Sequence, residues 1–160
     1  MLKFLNDHLE DIFIIPLMIG MSVLIFVQVV MRYIFGNSLV WSEELARYLF
    51  VWLVYFSVSY TAKREKHIRI DAALMVFPKK ARPYIEILSE VLIFLFSIFI
   101  VVTSITVVQK IAASGQHSPA LGLPMQLVYA APLVGFILTA FRSLQTICKK
   151  IKNLKTGVAK

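Results

Sequence analysis

The chain alternates long apolar runs with short polar connections, and the runs have the length of membrane spans. Residues 12–31 carry no charged side chain, which is enough helix to cross roughly 30 Å of hydrocarbon at about 1.5 Å per residue. Residues 45–62 hold Arg47 as their one charge, 84–108 hold Glu86 and Glu90 near the start, and 124–147 hold Arg142. Spans are therefore predicted at about 12–31, 45–62, 84–108 and 124–147, within a single membrane domain covering 1–160. The fold class is an all-α integral membrane protein with four transmembrane helices.

Each connection adds a further expectation. Along the first run Pro16, Gly20, Leu24, Gln28 and Arg32 recur every four residues; this is either incidental or a helix-packing face with a small residue and a hydrogen-bonding amide. Gly36-Asn37-Ser38 is a turn signal. Ser42 is predicted to cap a helix opening with Glu43 and Glu44, both on the favourable end of the dipole. Arg47 lies within side-chain reach of both acids. Arg32, Glu43 and Glu44 can meet at one membrane surface, where pairing offsets the cost of ionised groups near hydrocarbon. The cluster either fixes two helices together or docks a partner subunit.

The connection 63–83 is basic, and within it Asp71 can cap a short amphipathic helix through Phe77 that lies in the interface. His67 and Asp71, four apart, could hydrogen-bond there. Arg82, Glu86 and Glu90 share one helix face, expected to pair with the basic loop or a neighbouring subunit. Residues 109–123 form a connection of small residues and turn formers containing His117. Pro132 and Gly135 suggest a kink in the last span, Arg142 is expected to snorkel to the surface, and the basic tail from Lys149 is expected to fray.

Composition agrees with the membrane reading: 59% of residues are hydrophobic and 16% charged, more apolar surface than a water-soluble fold can hide. The formal charge of +8 has its meaning in topology rather than in nucleic acid, because the basic residues flank the spans. Seven fall in 63–83 (Lys63, Arg64, Lys66, Arg69, Lys79, Lys80, Arg82) and six in 142–160 (Arg142, Lys149, Lys150, Lys152, Lys155, Lys160). The other two connections hold only Arg32 and Lys110. Both termini and the basic connection are thus expected in the cytoplasm, with the Trp41 and His117 segments outside. The start lacks a cleavable leader, so the first run is expected to be kept as a span.

Arg32-Tyr33-x-Phe35-Gly36, Trp41-x-Glu43-Glu44-x-x-Arg47, Trp52 and His67-Ile68-x-Ile70-Asp71, in that order and spacing, resemble the small membrane subunit of tripartite ATP-independent periplasmic (TRAP) transporters, the DctQ or SiaQ type. Ser57 and Ser59 stand where that family would carry smaller residues, often Gly. The resemblance implies a multi-pass subunit in a bacterial inner membrane, pairing with a large subunit that moves substrate by an elevator-type motion driven by sodium. It also implies a periplasmic binding protein that delivers an organic acid of the sialic acid or C4-dicarboxylate type. Arg32, Trp41, Glu43, Glu44, Arg47 and Trp52 would then lock helices and meet the large subunit. His67 and Asp71 would form a cytoplasmic motif, and Ser114, Gln116, His117 and Ser118 would touch the binding protein.

The residues themselves offer no chemistry. One cysteine, Cys148, permits neither an internal disulfide nor a cysteine-built metal site. His8, His67 and His117 lie outside the spans, where they cannot serve as axial haem ligands. No phosphate-cradling loop, zinc spacing or nucleophile constellation is present, so no cofactor and no enzymatic activity are expected. The interior is expected to be dry and apolar, and the function that of an accessory scaffold. The alternative is a small autonomous transporter or channel formed by oligomerisation.

Overall fold

The computed structural model describes residues 2–63 and 81–155. Four helices carry the regular structure among them: α1 Leu2–Tyr33, α2 Val40–Lys63, α3 Arg82–Ser114 and α4 Gln126–Lys155. Each is long and apolar enough to cross a membrane. The predicted interfacial helix, with His67 and Asp71, lies outside the described residues.

Boundaries depart from expectation where local bonding competes with hydropathy. α2 starts at Val40, so Ser42 sits inside the first turn instead of capping it; its hydroxyl donates to the Leu39 carbonyl at 2.8 Å. α3 has a proline in its first turn, where no donor is lost. It ends on Gly115 at φ +61°, whose N–H donates to the Ala112 carbonyl. The tail does not fray at Lys149: α4 stays helical to Lys155.

The helices stand in a row, not a closed bundle. α1 packs on α2, α2 on α4, and α4 on α3; no other pair among the described residues comes close. Small residues set these contacts. Gly20 of α1 faces Leu49, Gln28 two repeats further on reaches α2, and Phe13 stacks on Phe56 with centroids 5.0 Å apart. From Gly20 to Gln28 the four-residue repeat of α1 is therefore a packing face, while Pro16 and Arg32 at its ends are exposed. On α4, Ala131, Gly135, Thr139 and Ser143 recur every four residues and are all buried. On α3, Glu90, Ser97 and Ser104 recur every seven and are buried too, on a helix whose one partner is α4. Several hydroxyls within the spans turn back onto their own helices, as with Ser57 to Leu53, Ser97 to Ile93 and Thr139 to Gly135 carbonyls. That satisfies them without exposing polarity to lipid. Between α2 and α3, floored by α4, the row leaves an apolar groove of about 560 Å³.

The interior is not wholly apolar. Glu90 is 2% exposed and Arg142 4%, so Arg142 does not snorkel out; it donates to Gln145 at 3.1 Å. The expected pairing of Glu86 and Glu90 with the basic loop falls largely outside the described residues; within them both acids have a partner on α4. Lys150 Nζ sits 3.5 Å from a carboxylate oxygen of each, which draws the end of α4 onto α3.

Candidate functional site

The chemistry gathers where the α1–α2 and α3–α4 connections meet, here called the loop end. Glu44, in the second turn of α2, aims its carboxylate across the row at the α3–α4 connection. One oxygen accepts the main-chain N–H groups of Ala120 (2.9 Å) and Leu121 (3.0 Å). The other accepts the Tyr48 hydroxyl one helical turn on, and the Tyr48 oxygen also lies 3.4 Å from Met125 Sδ. Charge-assisted bonds of this kind are roughly twice as strong as neutral ones.

The connection is folded to present those donors. Ser118 N–H donates to the Leu123 carbonyl, Gly122 N–H to the Ser118 carbonyl, and Leu123 N–H to the Ser118 hydroxyl. Met125 N–H closes onto the Gln116 carbonyl, beside an isolated bridge between His117 and Pro124. The tight reversal needs Gly122 at φ +67°, a left-handed conformation open to glycine without strain.

Glu43 faces the other way, toward α1. Its oxygens lie 3.7 Å from Arg47 and 3.4 Å from the Gln28 amide, which donates to it. Glu43 and Arg47 remain 54% and 69% exposed. Arg32 joins neither acid and donates instead to the Ser38 hydroxyl at 3.3 Å. Trp41 stands 43% exposed on the rim of a cleft of about 570 Å³ bordered by Ser38, Glu43, Glu44, Arg47 and Ala120. Trp52 lies deeper, against Phe56. The expected four-residue charge cluster is thus divided: Glu43 with Arg47 outside, Glu44 bound to a loop, Arg32 on the turn.

Of the loop residues, His117 is exposed with Nδ1 2.7 Å from the Gly115 carbonyl, and Ser114 donates to the Ile111 carbonyl. Ser118 is 4% exposed and serves the loop interior. Sequence reasoning missed Tyr48, although its four-residue offset from Glu44 was legible, and missed Lys150, whose partners lie on another helix. Among the described residues no group of three His, Cys, Asp or Glu side chains could hold a metal ion.

The profile of the DctQ component of tripartite ATP-independent periplasmic transporters matches residues 21–153. This chain belongs to that family. Members are transporter components, not enzymes, and with four spanning helices the DctQ-family chain is a multi-pass membrane protein. It is 27% identical to the sialic acid TRAP transporter small permease protein SiaQ of Vibrio cholerae, covering 96% of this chain and 88% of that one. It is 34% identical to the C4-dicarboxylate TRAP transporter small permease protein DctQ of Rhodobacter capsulatus, over 69% of this chain and 48% of that protein. The sialic acid TRAP transporter permease protein SiaT of Haemophilus influenzae is 31% identical over 98% of this chain, which spans only 24% of SiaT's length.

Proposed function

We propose that this chain is the small scaffold subunit of a sodium-driven TRAP transporter that imports an organic acid of the sialic acid or C4-dicarboxylate type. It pairs with a large transport subunit and helps seat a periplasmic binding protein. The observation that carries this reading is the Glu43–Arg47 pair, more than half exposed within a spanning helix and flanked by Trp41. Charged groups on the outer face of a span are costly in lipid. A membrane partner covers them, and Trp and Arg are the residues most often found at the centre of such contacts. The length of SiaT is consistent with a second, larger membrane part: a relative of this chain occupies only a quarter of it.

The charge asymmetry supports an orientation with the basic connection, the tail end of the row and both termini in the cytoplasm. The loop end then faces the periplasm, with Ser114, Gln116 and His117 available to the binding protein. Tagged large subunit purified in mild detergent tests the pairing. Glu43→Gln with Arg47→Gln should cut the recovered small subunit at least about tenfold, the equivalent of about 1.4 kcal/mol. Wild-type recovery and uptake would remove the reading.

A further inference from the structure

We propose that Glu44 is an internal latch, holding the 116–125 connection in a finished shape before any partner arrives, and that this preformed, uncharged loop is the seat of the binding protein. The second half rests on the function proposed above; the first stands on geometry alone.

Two consecutive main-chain N–H groups converge on one carboxylate oxygen from 76 and 77 positions away in sequence. A loop rich in small residues ordinarily samples many conformations. Here its internal bonds close the reversal, while the tie to Glu44 is what fixes that reversal to α2. Tyr48 holds the carboxylate from the far side and reaches Met125 at the loop's exit. Glu44 is therefore committed inward, unlike Glu43 one position before it.

The outward surface of the loop is then defined by what is left. Gln116, His117 and Pro119 are exposed, while Ser118 is turned in. Residues 114–125 contain no Lys, Arg, Asp or Glu. Such a surface offers shape and neutral hydrogen bonds, which suits a folded protein partner and not a free anion. A preformed loop also spares the partner the entropy of ordering it. Contact at an uncharged surface depends little on ionic strength.

The test uses the complex with the large subunit in detergent or nanodiscs. Hydrogen exchange across 115–125 is compared in wild type, Glu44→Ala, the shorter Glu44→Asp, and Lys110→Gln, at an exposed position of α3, as control. At the Ala120 and Leu121 amides, Glu44→Ala should exchange at least tenfold faster, Glu44→Asp should fall between, and Lys110→Gln should match wild type. In uptake assays, the binding-protein concentration giving half-maximal rate should rise severalfold in Glu44→Ala with the maximal rate kept, and salt should change it little. Unchanged exchange overturns the latch. Faster exchange with an unaltered concentration dependence overturns the loop as the seat. Loss of the large subunit on purification of Glu44→Asp overturns the inward assignment, making Glu44 a partner contact.

Discussion

Gly135 of α4 lies so near Tyr55 of α2 that a Cβ on it would stand 2.7 Å from the tyrosine Cβ and 2.8 Å from its carbonyl oxygen. Two helix backbones meet there, and no flexible side chain can give way. Gly135→Ala should therefore destabilise the fold by about 1–3 kcal/mol through overpacking, and Gly135→Leu should prevent α2 and α4 from docking. Gly20→Ala, where the nearest atom is the far end of Leu49 at 3.7 Å, should be nearly neutral. Thermal unfolding of the three variants in one detergent makes the comparison.

Lys150 bridges two carboxylates, one of them buried. Lys150→Met leaves the Glu90 carboxyl, 2% exposed, without its cation and with its second oxygen already lacking a hydrogen-bond partner among the described residues. Uncompensated buried charge costs about 3 kcal/mol or more, so yield and thermal stability should fall sharply. Adding Glu90→Gln should restore part of the loss. Lys149→Met, at an exposed neighbouring position, should stay within about 0.5 kcal/mol of wild type.

Gly122→Ala separates conformational strain from steric conflict. Nothing lies within 4 Å of a Cβ at that position, yet φ is +67°. The cost should be about 1 kcal/mol, from the left-handed backbone alone. It should appear as faster amide exchange in the loop, with recovery of the large subunit unchanged.

Orientation can be read with one thiol at a time. Cys148 is exposed near the tail end and is the sole cysteine. In intact spheroplasts a membrane-impermeant maleimide should leave it unlabelled until the membrane is opened. In a Cys148→Ser background, Gln116→Cys should label at once. The opposite pattern would invert the proposed topology.

The spans and their number were legible because hydropathy over about twenty residues outweighs local detail. The packing face of α1 was legible too, through Gly20 and Gln28. The order of the helices in the row was not, since it turns on the Gly135–Tyr55 approach, a coincidence of surfaces 80 positions apart in sequence. Arg142 was misjudged and Lys150 overlooked for one reason: a basic residue near a span end looks ready to reach water, and only the neighbouring helix reveals what it faces. The Glu44 arrangement stayed hidden because its donors are main-chain amides, which every residue but proline owns. Ser42 was displaced from its capping role by a helix that starts two residues sooner, with the Leu39 carbonyl as the hydroxyl's acceptor.

A single file of helices has two broad sides and no axis. A ring of spans can enclose a lumen, but a palisade only divides the lipid on one side from whatever stands on the other. Reconstituted by itself in liposomes, this polypeptide should leak no solute, because no line runs through it along which a solute could be passed from helix to helix. What a palisade can do is stiffen: set flat against a moving neighbour, it gives that neighbour a fixed edge to slide along.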